Sequence, residues 1–316
     1  MSVSEKRAAT AHKLAIAVAK AYYLEDRTKI QIADDFQLSR FKVARLLDYA
    51  RDSGVVAISI RENPRPEHAL AGRLRSALGL ADCVVVATAG RESPRAQVAM
   101  AGAAYLATSV GPNDVVGFSW GRTLSALTGY LGSLPPIRAI QLNGSLGTNL
   151  AISPLEILRR VVQSAGGRAD PLMAPLLVDS AEAAAAIRRQ PEISNTYAGF
   201  RELTVACLSA GSWEPRTSQL VEHMTDEDRA PLKAAGAVGE LAGIFLDAEG
   251  TPLEYLTDRL IRIPTHELAA VPQKILIAES TVKATIVLAA VRAGLIDVLV
   301  IDVALAEELL RLSEEA

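Results

Sequence analysis

The chain has 316 residues, half of them apolar, with 33 Lys+Arg against 36 Asp+Glu, which is enough for one large core and a small accessory domain. It contains no run of about twenty uncharged apolar residues, so no membrane-spanning helix is expected. The two cysteines, Cys83 and Cys207, sit in apolar runs without the spacing of a zinc site or a disulfide framework. Two buried free thiols, no metal, no cofactor and a reducing cytoplasm are the expectation. The overall charge of -3 is unevenly spread: residues 1–62 carry 11 Lys+Arg and 8 Asp+Glu (net +3), and the remainder carries 22 and 28 (net -6). A basic head on an acidic body suits a head that meets nucleic acid.

The N-terminal basic residues run into an amphipathic pattern over 12–25, with Leu14, Val18, Ala21 and Tyr22 on one face, which reads as a helix and not as a signal peptide. Thr28 can cap a second helix reaching about Phe36, with Ile30, Ile32 and Ala33 turned inward. After a short turn at Gln37-Leu38, Ser39 can cap a third, with Val43, Leu46, Leu47 and Ala50 at core spacing, and Gly54 stops it. Two helices, a tight turn and a small residue, Ala33, where they cross make a helix-turn-helix pattern. The run VVAISI over 55–60 could form a wing. In a DNA head, Arg40, Lys42 and Arg45, with Ser39, lie on the recognition helix, and Thr28, Lys29 and Gln31 begin the supporting one, where phosphate contacts are usual.

Asn63-Pro-Arg-Pro66 interrupts regular structure and marks a linker, dividing a head over 1–62 from a body over 67–316. The body opens with the helical run PEHALAGRLRSALG. From residue 82 onward strand-like and helix-like runs alternate. Candidate strands are CVVVAT, DVVGFS, IRAIQLN, LMAPLLV, LTVACLS, AGIFLD, KILIAE and DVLVID, several of them continuously apolar. That rhythm predicts a parallel, Rossmann-like α/β sheet covered on both faces.

The sharpest local feature is DVVGFSWGRTLSALTGYL. A buried strand ends at Gly117-Phe118-Ser119, and the turn Trp120-Gly121 leads into a helix near Arg122-Thr123. Such a junction directs backbone N–H groups at one spot, where anions bind, and ligands of open α/β sheets sit at the carboxyl ends of strands. Other strand ends carry Gln141, Asn143, Asp179, Ser209, Asp247, Glu279 and Asp302, with Lys283 in the following helix, outlining a polar crevice. The segment Gly117-Phe-Ser-Trp-Gly121 also fits the G-x-S-x-G elbow of hydrolases. Asp179 or Asp247 with His266 would complete the order Ser, Asp, His, although His266 precedes the last strands. Three classes therefore stand: a ligand-switched DNA binder, an enzyme (a Ser119 hydrolase or a sugar-phosphate isomerase), and a DNA binder whose body only oligomerises.

Taken together, YYLEDRTKIQIADDFQLSRFKVARLLDYARDSGVV, VVGFSWGRTL, IQLNGSLG, LLVDS, AAGAVGELAGIFLDAEG and KATIVLAAVRAGLIDVLVID, in this order, resemble the SorC family of sugar-binding transcriptional regulators from about residue 12 to the end. The resemblance implies an effector domain similar to sugar-phosphate isomerases and CoA-transferases, and a homodimer or homotetramer, whose two-fold symmetry in turn predicts a pseudo-palindromic operator. It implies a sugar or sugar-phosphate effector touched by the Ser119–Thr123 loop, Gln141, Asp179, Asp247 and Lys283. One departure matters: where the family often has a Gly-Gly pair ahead of its lysine, this chain has Glu279-Ser280. A carboxylate there would repel phosphate unless it binds sugar hydroxyls instead.

Overall fold

A computed structural model of the chain describes residues 3–56, 65–88, 92–147 and 153–315, with side chains from His12 onward. The chain divides into two compact units, Met1–Glu62 and Asn63–Ala316. Most of the expected wing and the first half of the expected linker lie outside the described residues.

The first unit is three helices, α1 (Val3–Tyr23), α2 (Lys29–Asp35) and α3 (Arg40–Asp52). The start of α2 is set locally by a reciprocal cap. The Thr28 hydroxyl accepts the Gln31 N–H, and the Gln31 side chain accepts the Thr28 N–H at 2.9 Å. Ser39 caps α3 by accepting the Lys42 N–H at 3.2 Å. Val18, Ile32, Val43, Leu47 and Ala50 close the small core, and Ala33 is buried where α2 packs on α3. Ile30, expected to point inward, is 58% exposed. It lies two residues from Ile32, about 200° around a helix, so the two cannot share a face.

In the second unit β1 (Arg65–Pro66) and α4 (His68–Leu78) lead to β2 (Asp82–Ala87), α5 (Pro94–Ser109), β3 (Val115–Phe118), α6 (Arg122–Thr128), β4 (Arg138–Gln141), α7 (Pro154–Ala165) and β5 (Arg168–Asp170). Then come α8 (Ala181–Arg188), α9 (Pro191–Gly199), β6 (Val205–Leu208), β7 (Ala210–Ser212), α10 (Gln219–His223), α11 (Asp226–Ala234), β8 (Gly239–Leu241), β9 (Ile244–Leu246) and β10 (Pro252–Leu253). The chain ends with α12 (Thr265–Ala270), β11 (Gln273–Ala278), α13 (Ala284–Arg292), β12 (Val298–Asp302) and α14 (Val303–Glu314). One sheet runs β1-β2-β12-β11-β6-β3-β4-β5, and all its neighbours pair in parallel except the edge strand β1. Arg65 and Pro66, expected in a linker, thus pair with Ala87 and Val86.

The mostly apolar strands β6, β11 and β12 lie in the middle of this sheet, where helices cover both faces. Both cysteines are free and buried, Cys207 on β6 and Cys83 on β2 near the edge, and burial pushes each thiol up to about 12, leaving it protonated and inert. A second, antiparallel sheet runs β10-β9-β8-β7. Two expected members of the parallel sheet are elsewhere. AGIFLD forms β9 of the small sheet, because a tight turn at Ala242-Gly243, both at positive φ, returns the chain antiparallel to β8. LMAPLLV forms no strand and makes only isolated bridges at Pro175 and Leu177, because Pro171 and Pro175 bring no N–H to a ladder. No helix among the described residues is long and apolar enough to cross a membrane.

Candidate effector cleft and candidate DNA-reading helix

The chain leaves the parallel sheet at the end of β6 and enters the small sheet at β7, with only Ser209 between them. The end of β3 lies beside it. The fully buried Ser119 hydroxyl accepts the Ser209 backbone N–H at 3.1 Å and faces the Trp120 carbonyl at 3.5 Å, tying the two strand ends together. Gly121 follows at φ +147, where a Cβ would collide with Ser209 Oγ, so only glycine lets the loop pass. Beyond it, exposed Arg122 donates to the Thr217 carbonyl at 3.3 Å.

Thr123 reaches a different partner. Its buried hydroxyl donates to Glu279 Oε2 at 2.6 Å, while Arg95 Nε of α5 donates to Oε1 at 2.9 Å and Lys283 Nζ stands 3.5 Å from Oε2. Burial opposes ionisation of Glu279, but the Lys283 charge, the Thr123 hydroxyl and Arg95 outweigh it and hold the carboxyl below its ordinary value. Burial pulls the Lys283 ammonium down against the pull of Glu279. Ser280, next in the chain, sits at φ +83, in the region glycine favours.

A second buried carboxyl closes the floor. Glu240 of β8 accepts Ser218 Oγ at 2.8 Å and the Gly243 N–H at 2.9 Å, and burial pushes it above its ordinary range. Arg122, Thr123, Thr217, Ser218, Glu240, Glu279 and Lys283 line an open cleft whose walls also carry Ser209, Gln219 and Trp120.

Of the residues singled out in the sequence, Trp120, Gly121, Arg122, Thr123, Ser209, Glu279 and Lys283 meet in this cleft. Ser119 lies beneath it with both hydroxyl contacts on backbone, and Gly117 is inside β3. Gln141 is used internally: it donates to the Asn143 and Leu172 carbonyls and accepts the Leu172 N–H, pinning the end of β4. Asn143 is fully buried, its Oδ1 unpartnered. Asp179 is exposed ahead of the Ser180 cap of α8, and Asp247 accepts the Thr251 N–H at 2.7 Å to close the β9–β10 turn. These four do not line the cleft. Conversely, Arg95, Glu240, Thr217 and Ser218 escaped the sequence reading. The one signal for Glu240 was a carboxylate inside the otherwise apolar AVGELAGIF.

In the first unit Thr28, Gln31 and Ser39 are occupied with capping, and Lys29 Nζ lies 5.8 Å from the Tyr22 ring centroid. Arg40, Lys42 and Arg45 are exposed on α3 and form no ion pair among the described residues. Between Arg40 and Lys42 projects Phe41, 83% exposed.

The family model described as "Putative sugar-binding domain" matches residues 65–311. The "Deoxyribonucleoside regulator" of Bacillus subtilis is 25% identical over 92% of this chain and 95% of its own length. The "Transcriptional regulator LsrR" of Klebsiella pneumoniae is 26% identical over 95% of this chain and 94% of its own. The full-length sorbitol operon regulator SorC of Klebsiella pneumoniae superposes with a TM-score of 0.72 at 23% identity, covering 95% of this chain and 99% of that one, a likeness of fold. The chain belongs to the SorC family of sugar-binding transcriptional regulators.

SorC-family relatives are regulators and not enzymes. The geometry of this SorC-family member agrees at the residue that raised the hydrolase reading. Among the described residues the Ser119 hydroxyl bonds only backbone groups, and the His266 side chain is 81% exposed on α12, 3.9 Å from Glu267. A nucleophilic serine needs a base within hydrogen-bond reach.

Proposed function

We propose that the chain is a DNA-binding transcription regulator of a carbohydrate-utilisation operon, switched by a small sugar held in the cleft between the ends of β3, β6 and β11. The observation that carries this is the cleft itself. It sits at the carboxyl edge of a parallel sheet, inside the stretch matched by the sugar-binding family, and is lined by hydroxyls, two carboxyls, a lysine and an indole. Those groups suit a polyhydroxylated ligand, since each hydroxyl both donates and accepts. Trp120, Gly121, Arg122, Thr123, Glu279 and Lys283 form the effector set, joined by Arg95, Glu240, Thr217 and Ser218. The parallel sheet and its edge cleft support a likeness to sugar-phosphate isomerases and CoA-transferases.

Residues 1–62 act as a winged helix-turn-helix, with α3 entering the major groove. Arg40, Lys42 and Arg45 contact bases or phosphates, Lys29 contacts phosphate, and Phe41 covers a thymine methyl, an apolar contact available in that groove. The protein works in the cytoplasm as a homodimer or homotetramer on a pseudo-palindromic operator. The sugar favours one arrangement of the effector domains and thereby changes the fit of the paired heads to DNA.

The test is fluorescence anisotropy of the full chain on the DNA upstream of its own gene, with and without a panel of sugars. Binding near or below about 10⁻⁸ M that a sugar strengthens or weakens is expected. Equal affinity for that DNA and for unrelated duplex would refute the reading.

A further inference from the structure

We propose that the cleft takes an uncharged, hydroxyl-rich ligand such as a free sugar or polyol, because the Glu279 carboxylate already fills the place where an anionic group would be held. The inference rests on the reading of this cleft as the effector site.

The groups a phosphate would need converge on Glu279 instead. Thr123 Oγ1 and Lys283 Nζ reach one oxygen at 2.6 and 3.5 Å, and Arg95 Nε reaches the other at 2.9 Å. These partners come from three elements: α6, the turn before α13, and α5. The carboxylate is held from behind as well. The N–H of Ser280, the next residue, points to the Asp302 carboxylate at 3.3 and 3.4 Å, so the backbone that aims Glu279 is anchored to β12. Glu279 is only 6% exposed and cannot swing into solvent without breaking all of these contacts.

The charge balance points the same way. The buried ionisable groups lining the cleft are Glu279, Glu240 and Lys283, so the one buried ammonium is already matched by Glu279. Of the other cations nearby, Arg122 lines the cleft and is exposed, and the Arg95 side chain, paired with Glu279, is 41% exposed, so solvent screens both. A phosphate settling on Lys283 would stand against an ionised carboxylate. Like charges about 4 Å apart at an effective permittivity near 20 cost roughly a thousandfold in affinity. A sugar reverses the sign, since its hydroxyls donate to Glu279 in short, charge-assisted bonds and accept from Lys283. Ser209 and Gln219 add uncharged donors and acceptors, and the Trp120 indole offers apolar surface for a sugar ring.

The experiment is a thermal-shift series on the full chain with three probes at matched concentration: free pentoses, hexoses and polyols, the corresponding monophosphates, and inorganic phosphate. The wild type is expected to gain roughly 5–10 °C at a hundredfold excess over Kd with at least one free sugar. It should gain nothing comparable from monophosphates or phosphate. Glu279→Gln, which keeps the shape and removes the charge, should lose at least tenfold in affinity for that sugar and become stabilised by inorganic phosphate. Stabilisation of the wild type by monophosphates in preference to free sugars would overturn the proposal while leaving the sugar-switched reading standing. Indifference of both melting and operator binding to every probe would sink that reading and this inference with it. If Glu279→Gln melts too low to assay, the wild-type comparison alone decides.

Discussion

Replacing Gly121 with alanine tests whether the passage of the β3–α6 loop against Ser209 shapes the cleft. Two separable costs follow from the geometry. At φ +147 the backbone lies where an L-residue is strained, a cost of about 1–3 kcal/mol. The new methyl would also overlap Ser209 Oγ and stand 2.9 Å from Ser209 Cβ, an overpacking cost of about 1–3 kcal/mol. The expected loss of effector-domain stability is thus about 2–6 kcal/mol, with weaker ligand binding because Arg122 and Thr123 follow directly in the chain. Urea unfolding followed by tryptophan fluorescence reads the loss, since both tryptophans, Trp120 and Trp213, lie in this domain. Ser209→Gly in the same chain removes the overlapping atoms but not the backbone strain, so the double variant should recover the packing share and leave about 1–3 kcal/mol. A Gly121→Ala protein within about 0.5 kcal/mol of wild type, the range of ordinary surface changes, would refute the account of this loop.

Ser119→Ala should cost about 1–3 kcal/mol of stability, because it strips the part-buried Ser209 N–H of its acceptor; an ester and sugar-phosphate activity panel should find no turnover to lose. Glu240 has a raised folded-state pKa, so its stabilising contribution is present below about pH 4.3 and is lost as pH rises. Urea melts from pH 4 to 7 should therefore show Glu240→Gln gaining on wild type as pH rises, and a constant difference would contradict the assignment. In the head, Arg40→Ala should cost roughly 1–3 kcal/mol and relax one operator position if it reads a base, or weaken all sequences alike with a shallower salt slope if it touches phosphate. Phe41→Ala should cost about 1 kcal/mol on sites with a contacted thymine and almost nothing when uracil replaces it. An anisotropy titration unchanged by either substitution would remove that residue from the interface.

The sequence by itself determined what depends on near neighbours. Thr28 and Ser39 cap helices by accepting the N–H three residues on, so the starts of α2 and α3 were legible residue by residue. Runs such as KILIA and VLVID marked doubly covered strands, and the glycine-flanked turn after β3 marked the place where polar groups gather. Tertiary structure alone decided who their partners are. Glu279 meets Arg95 across 184 residues and Thr123 across 156, because the sheet order sets β11 near α5 and α6. Periodicity records that a face is buried, not which element buries it. AGIFLD and LMAPLLV therefore carried the same apolar signal as true members of the parallel sheet, and only a returning turn and two prolines excluded them. Likewise Gln141 looked like a ligand contact until the neighbouring backbone took both ends of its amide. A polar side chain is free to bind a ligand only if the fold leaves it unsatisfied, and that depends on contacts made between distant stretches of chain.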